Sequence, residues 1–129
     1  MKNRPRPMRR SRIAEYSVCR CTVNKTTEGG TYDTYGEPVS FKGEVWPANG
    51  KVQAELYGER LQYIRNIRVQ GEYIVEKGTD GQIHYIFPDG TDFCERDGLC
   101  LYTSATDGPD YRILSIKPYY PLRMEAEKI

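Results

Sequence analysis

Few residues in this chain have the type and spacing for chemistry. One histidine, His84, lies between Ile83 and Tyr85 in "QIHYIF". Four cysteines, Cys19, Cys21, Cys94 and Cys100, fall in "CRC" and "CERDGLC". Neither spacing is the Cys-x2–4-Cys knuckle of a structural zinc site, although two pairs could meet across a sheet. The alternative is strand thiols packed as small hydrophobes. Paired acids occur in "GTDG" and "PDGTD", where hairpin turns want Asp and Gly. The second has the composition of a calcium loop without the regular ligand run of an EF-hand. A lone strand histidine is a poor general base without partners. The chain holds no serine elbow, HExxH or phosphate-binding loop. Catalysis is not the expected role, and no metal or cofactor is implied.

Charge is more informative. Met1–Arg12 carries Lys2, Arg4, Arg6, Arg9, Arg10 and Arg12 and no acid, while the rest of the chain has 13 basic and 18 acidic residues. With Pro5 and Pro7 and no hydrophobic period, residues 1–12 read as a disordered basic arm on an acidic body. Arginine-rich arms suit phosphate or carboxylate partners. No apolar stretch follows Arg9-Arg10, so a secretion signal is not expected, and the thiols are expected to be reduced. No run approaches the roughly 18 apolar residues of a membrane span.

A chain of 129 residues, with 12 Gly, 8 Pro and 11 Tyr, points to one β-rich domain over residues 13–129. The predicted strands are Ala14–Val23, Val39–Pro47, two runs around "KGTDG", Leu99–Thr103, "YRILSIK" and "LRMEAEK". In the last, Leu122, Met124 and Ala126 should point inward, and Arg123, Glu125 and Glu127 outward. Residues 26–37 read as a loop. Between Val52 and Val69 helical and strand periods overlap; a short helix or loop to Glu59, then a strand from Leu61, is favoured. The fold class is all-β: a small antiparallel β-barrel of about seven or eight strands, with long loops and at most one short helix.

Two runs carry a family likeness. "YGEPVSFKGEVWPANGKVQAELYGERLQYIRN" and "DGLCLYTSATDGPDYRILSIKPYYPLRMEAEK" resemble the head-closure, or head–tail adaptor, proteins of tailed bacteriophages. The likeness covers about Tyr35 to Ile129. It implies a barrel with long loops that assembles as a ring below the portal or adaptor, closes the DNA-filled head and presents a surface to the tail. Implied partners are copies of itself, the portal or adaptor protein, a tail-completion protein and packaged DNA, with no membrane and no cofactor. The implied location is the virion, assembled in the bacterial host cytoplasm. On this reading Trp46 plugs the barrel end with Pro47 stacked on it. Asn49–Glu59 projects as a contact loop, with Asn49, Lys51, Gln53, Glu55, Glu59 and Arg60 meeting a neighbour or DNA beside the arm residues. The hairpin at "KGTDGQIHYIFPDGTD" is longer than such a barrel needs. The competing class is a nucleic-acid-binding, OB-like barrel with a basic arm.

Overall fold

Side-chain alternation along Val39–Pro47 sets the layout. Phe41, Gly43 and Val45 turn toward the core, and Lys42, Glu44 and Trp46 turn outward. The computed structural model describes residues 12–129. In chain order its strands are β1 (Ala14–Cys19), β2 (Cys21–Lys25), β3 (Thr31–Tyr35) and β4 (Val39–Pro47). Helix α1 (Lys51–Tyr57) and a 3-10 turn (Gly58–Tyr63) follow. Then come β5 (Ile64–Val69), β6 (Ile74–Lys77), β7 (Ile83–Ile86), β8 (Asp92–Phe93), β9 (Gly98–Cys100), β10 (Tyr111–Lys117) and β11 (Leu122–Lys128).

Six strands close an antiparallel barrel in the order β1-β4-β5-β11-β10-β9. Closure removes the open edges that would invite mispairing. The hairpin β2–β3 and the three-stranded sheet β6-β7-β8 stand apart from it. Gly43 fixes one close approach, because a Cβ there would lie 2.5 Å from the Arg68 carbonyl oxygen.

The fold is thus the expected all-β barrel with one short α-helix. The strand count is higher because Asp92–Phe93 forms a short extra strand, β8, and for two further local reasons. The first predicted strand breaks at Arg20, which separates β1 from β2. The predicted loop at 26–37 contains β3, Thr31–Tyr35, and Thr26–Gly30 forms the turn that joins it to β2. Turn-forming residues dominate that segment, but Thr31–Tyr35 keeps a strand composition that the ladder with β2 stabilises.

The long hairpin is part of the core. Tyr73, Tyr85, Phe87 and Phe93 join one buried cluster with Phe41, Ile67, Val69, Leu122 and Met124. Phe93 stacks edge-on against Phe41 and Phe87, at 5.0 and 5.7 Å between ring centroids. Tyr73 follows β5, stacks on Tyr120 just before β11, and its hydroxyl donates to the Tyr119 carbonyl at 2.8 Å. These aromatics plug the barrel where β5 ends and β11 begins. Trp46 does not: it lies half-buried on the outer face. Pro47 is its neighbour on the strand and therefore points the other way, so it cannot stack on it.

Truncating Phe93, fully buried and in contact with two other rings, should cost about 3–5 kcal/mol. Urea unfolding of Phe93→Ala is the check. A loss below about 1 kcal/mol would mean that the β6–β8 sheet is an appendage.

Candidate functional site

The outer face of β4, β5, β11 and β10 is organised in rows set by strand register. One row runs Glu44, Arg68, Arg123, Lys117; the next runs Trp46, Asn66, Glu125, Ser115. The segment between β4 and β5 covers the second row. Residues Lys51–Tyr57 are mostly good helix formers, and Gly50 and Gly58, both with positive φ, bound them. Seven residues are too few for a helix stable by itself. Packing on the barrel has to supply the rest.

Glu125 supplies the anchor. It is 5 % exposed although it sits on the outer face. Gln53 Nε2 donates to its Oε2 at 2.6 Å, and the Tyr57 and Ser115 hydroxyls donate to Oε1 at 2.9 and 3.0 Å. Lys117 Nζ lies 3.5 Å away. Burial pushes this carboxyl up, but those three hydrogen bonds and the Lys117 charge together hold it below its ordinary value. Burial and the same carboxylate push the Tyr57 hydroxyl up to about 12. Gln53 is also paired with Asn66 in both directions and accepts the Asn49 backbone N–H. One turn later Arg60 grips Glu127 with two bonds of 2.7 Å.

The segment predicted as a projecting loop is therefore a clamped helix. The strand after it starts at Ile64 and not at Leu61, because the 3-10 turn runs to Tyr63. Of the residues expected to meet partners, Asn49, Lys51, Glu55 and Glu59 are exposed. Gln53 instead faces the barrel, and Arg60 is committed to Glu127. Arg4, Arg6, Arg9 and Arg10, and with them all of the arm except Arg12, lie outside the described residues. Arg12 is exposed, with its guanidinium 3.8 Å from Glu44. The far side of α1 presents Val52 and Leu56, 78 % and 65 % exposed, one helical turn apart.

Sequence reasoning did not single out the pair beside Trp46. The Arg68 and Arg123 guanidinium carbons lie over its indole ring, 5.3 and 5.4 Å from the centroid. A signal was available: "RNIRV" and "LRMEAEK" put Arg68 and Arg123 at outward positions of neighbouring strands.

A second polar cluster joins the β6–β8 sheet to the β1–β2 break. His84 Nδ1 lies 2.8 Å from Asp92 Oδ2 and 3.3 Å from Cys94 Sγ, and its Nε2 lies 3.2 Å from both Asp80 oxygens. The hydrogen bond to Asp92, then that to Asp80, hold the imidazole above its ordinary value despite partial burial. Arg20 donates to Cys94 Sγ at 2.7 Å and pairs with Asp92 at 2.8 Å and Asp97 at 3.8 Å. The buried Asp97 carboxylate also accepts the Cys21 and Cys94 backbone N–H groups.

His84, Asp92 and Cys94 bring donor atoms within 4.8 Å of one another, a set that suits a divalent cation by type. The positive charge among them is the Arg20 guanidinium. Burial pushes the Cys94 thiol up to about 11, against the pull of Arg20. Asp80 and Asp89 do serve their turns, accepting the Gln82 and Thr91 N–H groups, whereas Asp92 belongs to this clip. Among the described residues all four cysteines are free; Cys19, Cys94 and Cys100 are buried.

No family model, curated protein or solved structure matches this chain.

Two outcomes follow from these charges. The depressed Glu125 value means stability that is present above pH ~4.5 and lost as pH falls through the folded value. Glu125→Gln should lose about 1–3 kcal/mol at pH 7 and show a flatter acid limb, read by urea midpoints from pH 7 to 3. The raised His84 value has the opposite sign. Its contribution is complete below pH ~6.5 and fades as pH rises through the folded value. The stability gap between wild type and His84→Gln should therefore narrow from pH 6 to pH 9; a constant gap would contradict the double-carboxylate setting.

Proposed function

We propose that this protein is a structural component of a tailed-phage head–tail connector. It forms a ring below the portal or adaptor, closes the DNA-filled head and offers the tail its attachment surface. The likeness of Tyr35–Ile129 to head-closure proteins is one support. The runs that carry it supply β4, α1, β9, β10, β11 and the first half of β5, so that four whole barrel strands, part of a fifth and the clamped helix come from them.

The observation that carries the reading is the orientation of α1. Glu125 pins its inner side to a closed barrel, Glu127 holds the turn that follows it, and Val52 and Leu56 are left facing water. An exposed apolar pair on a rigid support gains free energy when a neighbour covers it. Head-to-tail contacts of that kind close into rings when the rotation between neighbours closes. Copies of the chain, the portal or adaptor and a tail-completion protein are the proposed neighbours, in a virion assembled in the host cytoplasm. No cofactor enters. A second reading, a nucleic-acid-binding barrel, draws on the basic arm and on the cations beside Trp46.

Cosedimentation with DNA-packed, tailless heads separates the two. The connector reading expects saturable binding to packed heads, less DNA leakage, and weak binding to empty heads. Val52→Asp with Leu56→Asp should keep the fold, because both sites are exposed, and weaken head attachment at least tenfold. Absence of head binding together with tight, salt-sensitive capture of naked DNA would replace the connector with the nucleic-acid barrel.

A further inference from the structure

The row Glu44–Arg68–Arg123–Lys117 breaks a rule of sheet pairing. Like charges directly opposite on neighbouring strands are destabilising, and here Arg68 faces Arg123, which faces Lys117. Only the ends of the row offer relief. Glu44 is opposite Arg68 but lies near Arg12, and Lys117 is 3.5 Å from Glu125, a carboxylate already committed to α1. Among the described residues neither Arg68 nor Arg123 forms an ion pair. Residues 1–11 contain no Asp or Glu that could add one. Arg68 Nε is buried with no hydrogen-bond partner among the described residues. Both guanidinium groups lie over Trp46, a contact that limits the side-chain entropy left to lose on binding.

A folded chain that tolerates three adjacent cations, two of them preordered and unpaired, is complementary to a polyanion. The geometry points to a contact between this row and the phosphate backbone of duplex DNA. Neighbouring strands are about 4.8 Å apart, so Arg68, Arg123 and Lys117 span roughly 10 Å. A duplex carries one charge per about 1.7 Å of axis and so presents several phosphates over that length. The two guanidinium groups over Trp46 compete with an unpaired base for stacking on it, which favours duplex over single strand. The row makes no base-reading contact and confers no sequence preference. This contact deepens the connector reading, since packaged DNA is the polyanion such a ring would meet.

Trp46 is the only tryptophan, so its fluorescence reports on this row alone. The full chain is titrated with a short DNA duplex at about 50 and about 200 mM salt. Three phosphates neutralised by the row predict a saturable change in Trp46 emission and contribute a roughly 40-fold weakening at the higher salt, to which arm contacts add. Arg68→Gln with Arg123→Gln should abolish most of the emission change and cut the salt effect on the row to roughly fourfold. Arg68→Lys with Arg123→Lys should retain the salt effect. Replacing Arg4, Arg6, Arg9 and Arg10 by Gln should lower affinity and leave the Trp46 change intact.

Equal DNA affinity and salt dependence for the folded double Gln variant would overturn the proposal. So would an equal Trp46 response to polyglutamate at matched charge, which would indicate an acidic protein surface instead. Heads bound normally by a protein whose Trp46 titration is flat would remove this contact alone. Failure of wild type to bind heads, with the titration as expected, would remove the connector and leave the contact standing.

Discussion

The Glu125 carboxylate sits on the outer face of β11, almost without access to water, and the segment between β4 and β5 is arranged around it. A buried charge needs several donors before it stops costing stability. Gln53 and Tyr57 provide them from α1, and Ser115 and Lys117 from β10. The dependence is mutual. A helix of seven residues has too few internal hydrogen bonds to persist alone, and the carboxylate has too few partners without the helix. The same bonds decide orientation. With Gln53 and Tyr57 turned to the barrel, Val52 and Leu56 have to face outward.

The elements that the sequence discloses best are those whose pattern is local. In "LRMEAEK" the alternation places Leu122, Met124 and Ala126 inside, as found, and the "KGTDG" turn does join two strands. The break after Pro47 is equally local, since proline cannot extend the ladder there. Other features depend on distant partners and leave no periodic trace. Glu125 reads as an outward, solvated acid until α1 covers it. Trp46 reads as a core residue by type, yet strand parity puts it outside with Lys42 and Glu44. The segment Asn49–Glu59 reads as a polar loop because its burial is provided by hydrogen bonds and not by an apolar stripe.

The titratable cluster at His84 also contributes to packing. A thiol, an imidazole and a carboxylate in mutual reach resemble a nucleophile with its base and orienting acid. Here the thiol is deeply buried and its ionisation is suppressed, and both imidazole nitrogens face carboxylates. Arg20, at the break between β1 and β2, completes the charge balance. The arrangement ties the β6–β8 sheet to the barrel strand order, so the aromatic plug built on Phe87 and Phe93 stays seated.

The two outer rows follow opposite rules. Around Glu125 every charge has partners, and the result is a fixed helix. Around Trp46 two guanidinium groups lie side by side with no ion pair among the described residues, although Glu44 stands opposite Arg68, and the result is a surface short of negative charge. A sequence selected only for stability would exchange one of Arg68 and Arg123 for an acid, since that single change turns a repulsive cross-strand pair into an attractive one. Local conflicts that persist inside an otherwise consistent fold mark places where something outside the chain enters the energetics. On this barrel that place is the uncovered row next to α1, so the exposed apolar pair and the cations lie on neighbouring parts of one face.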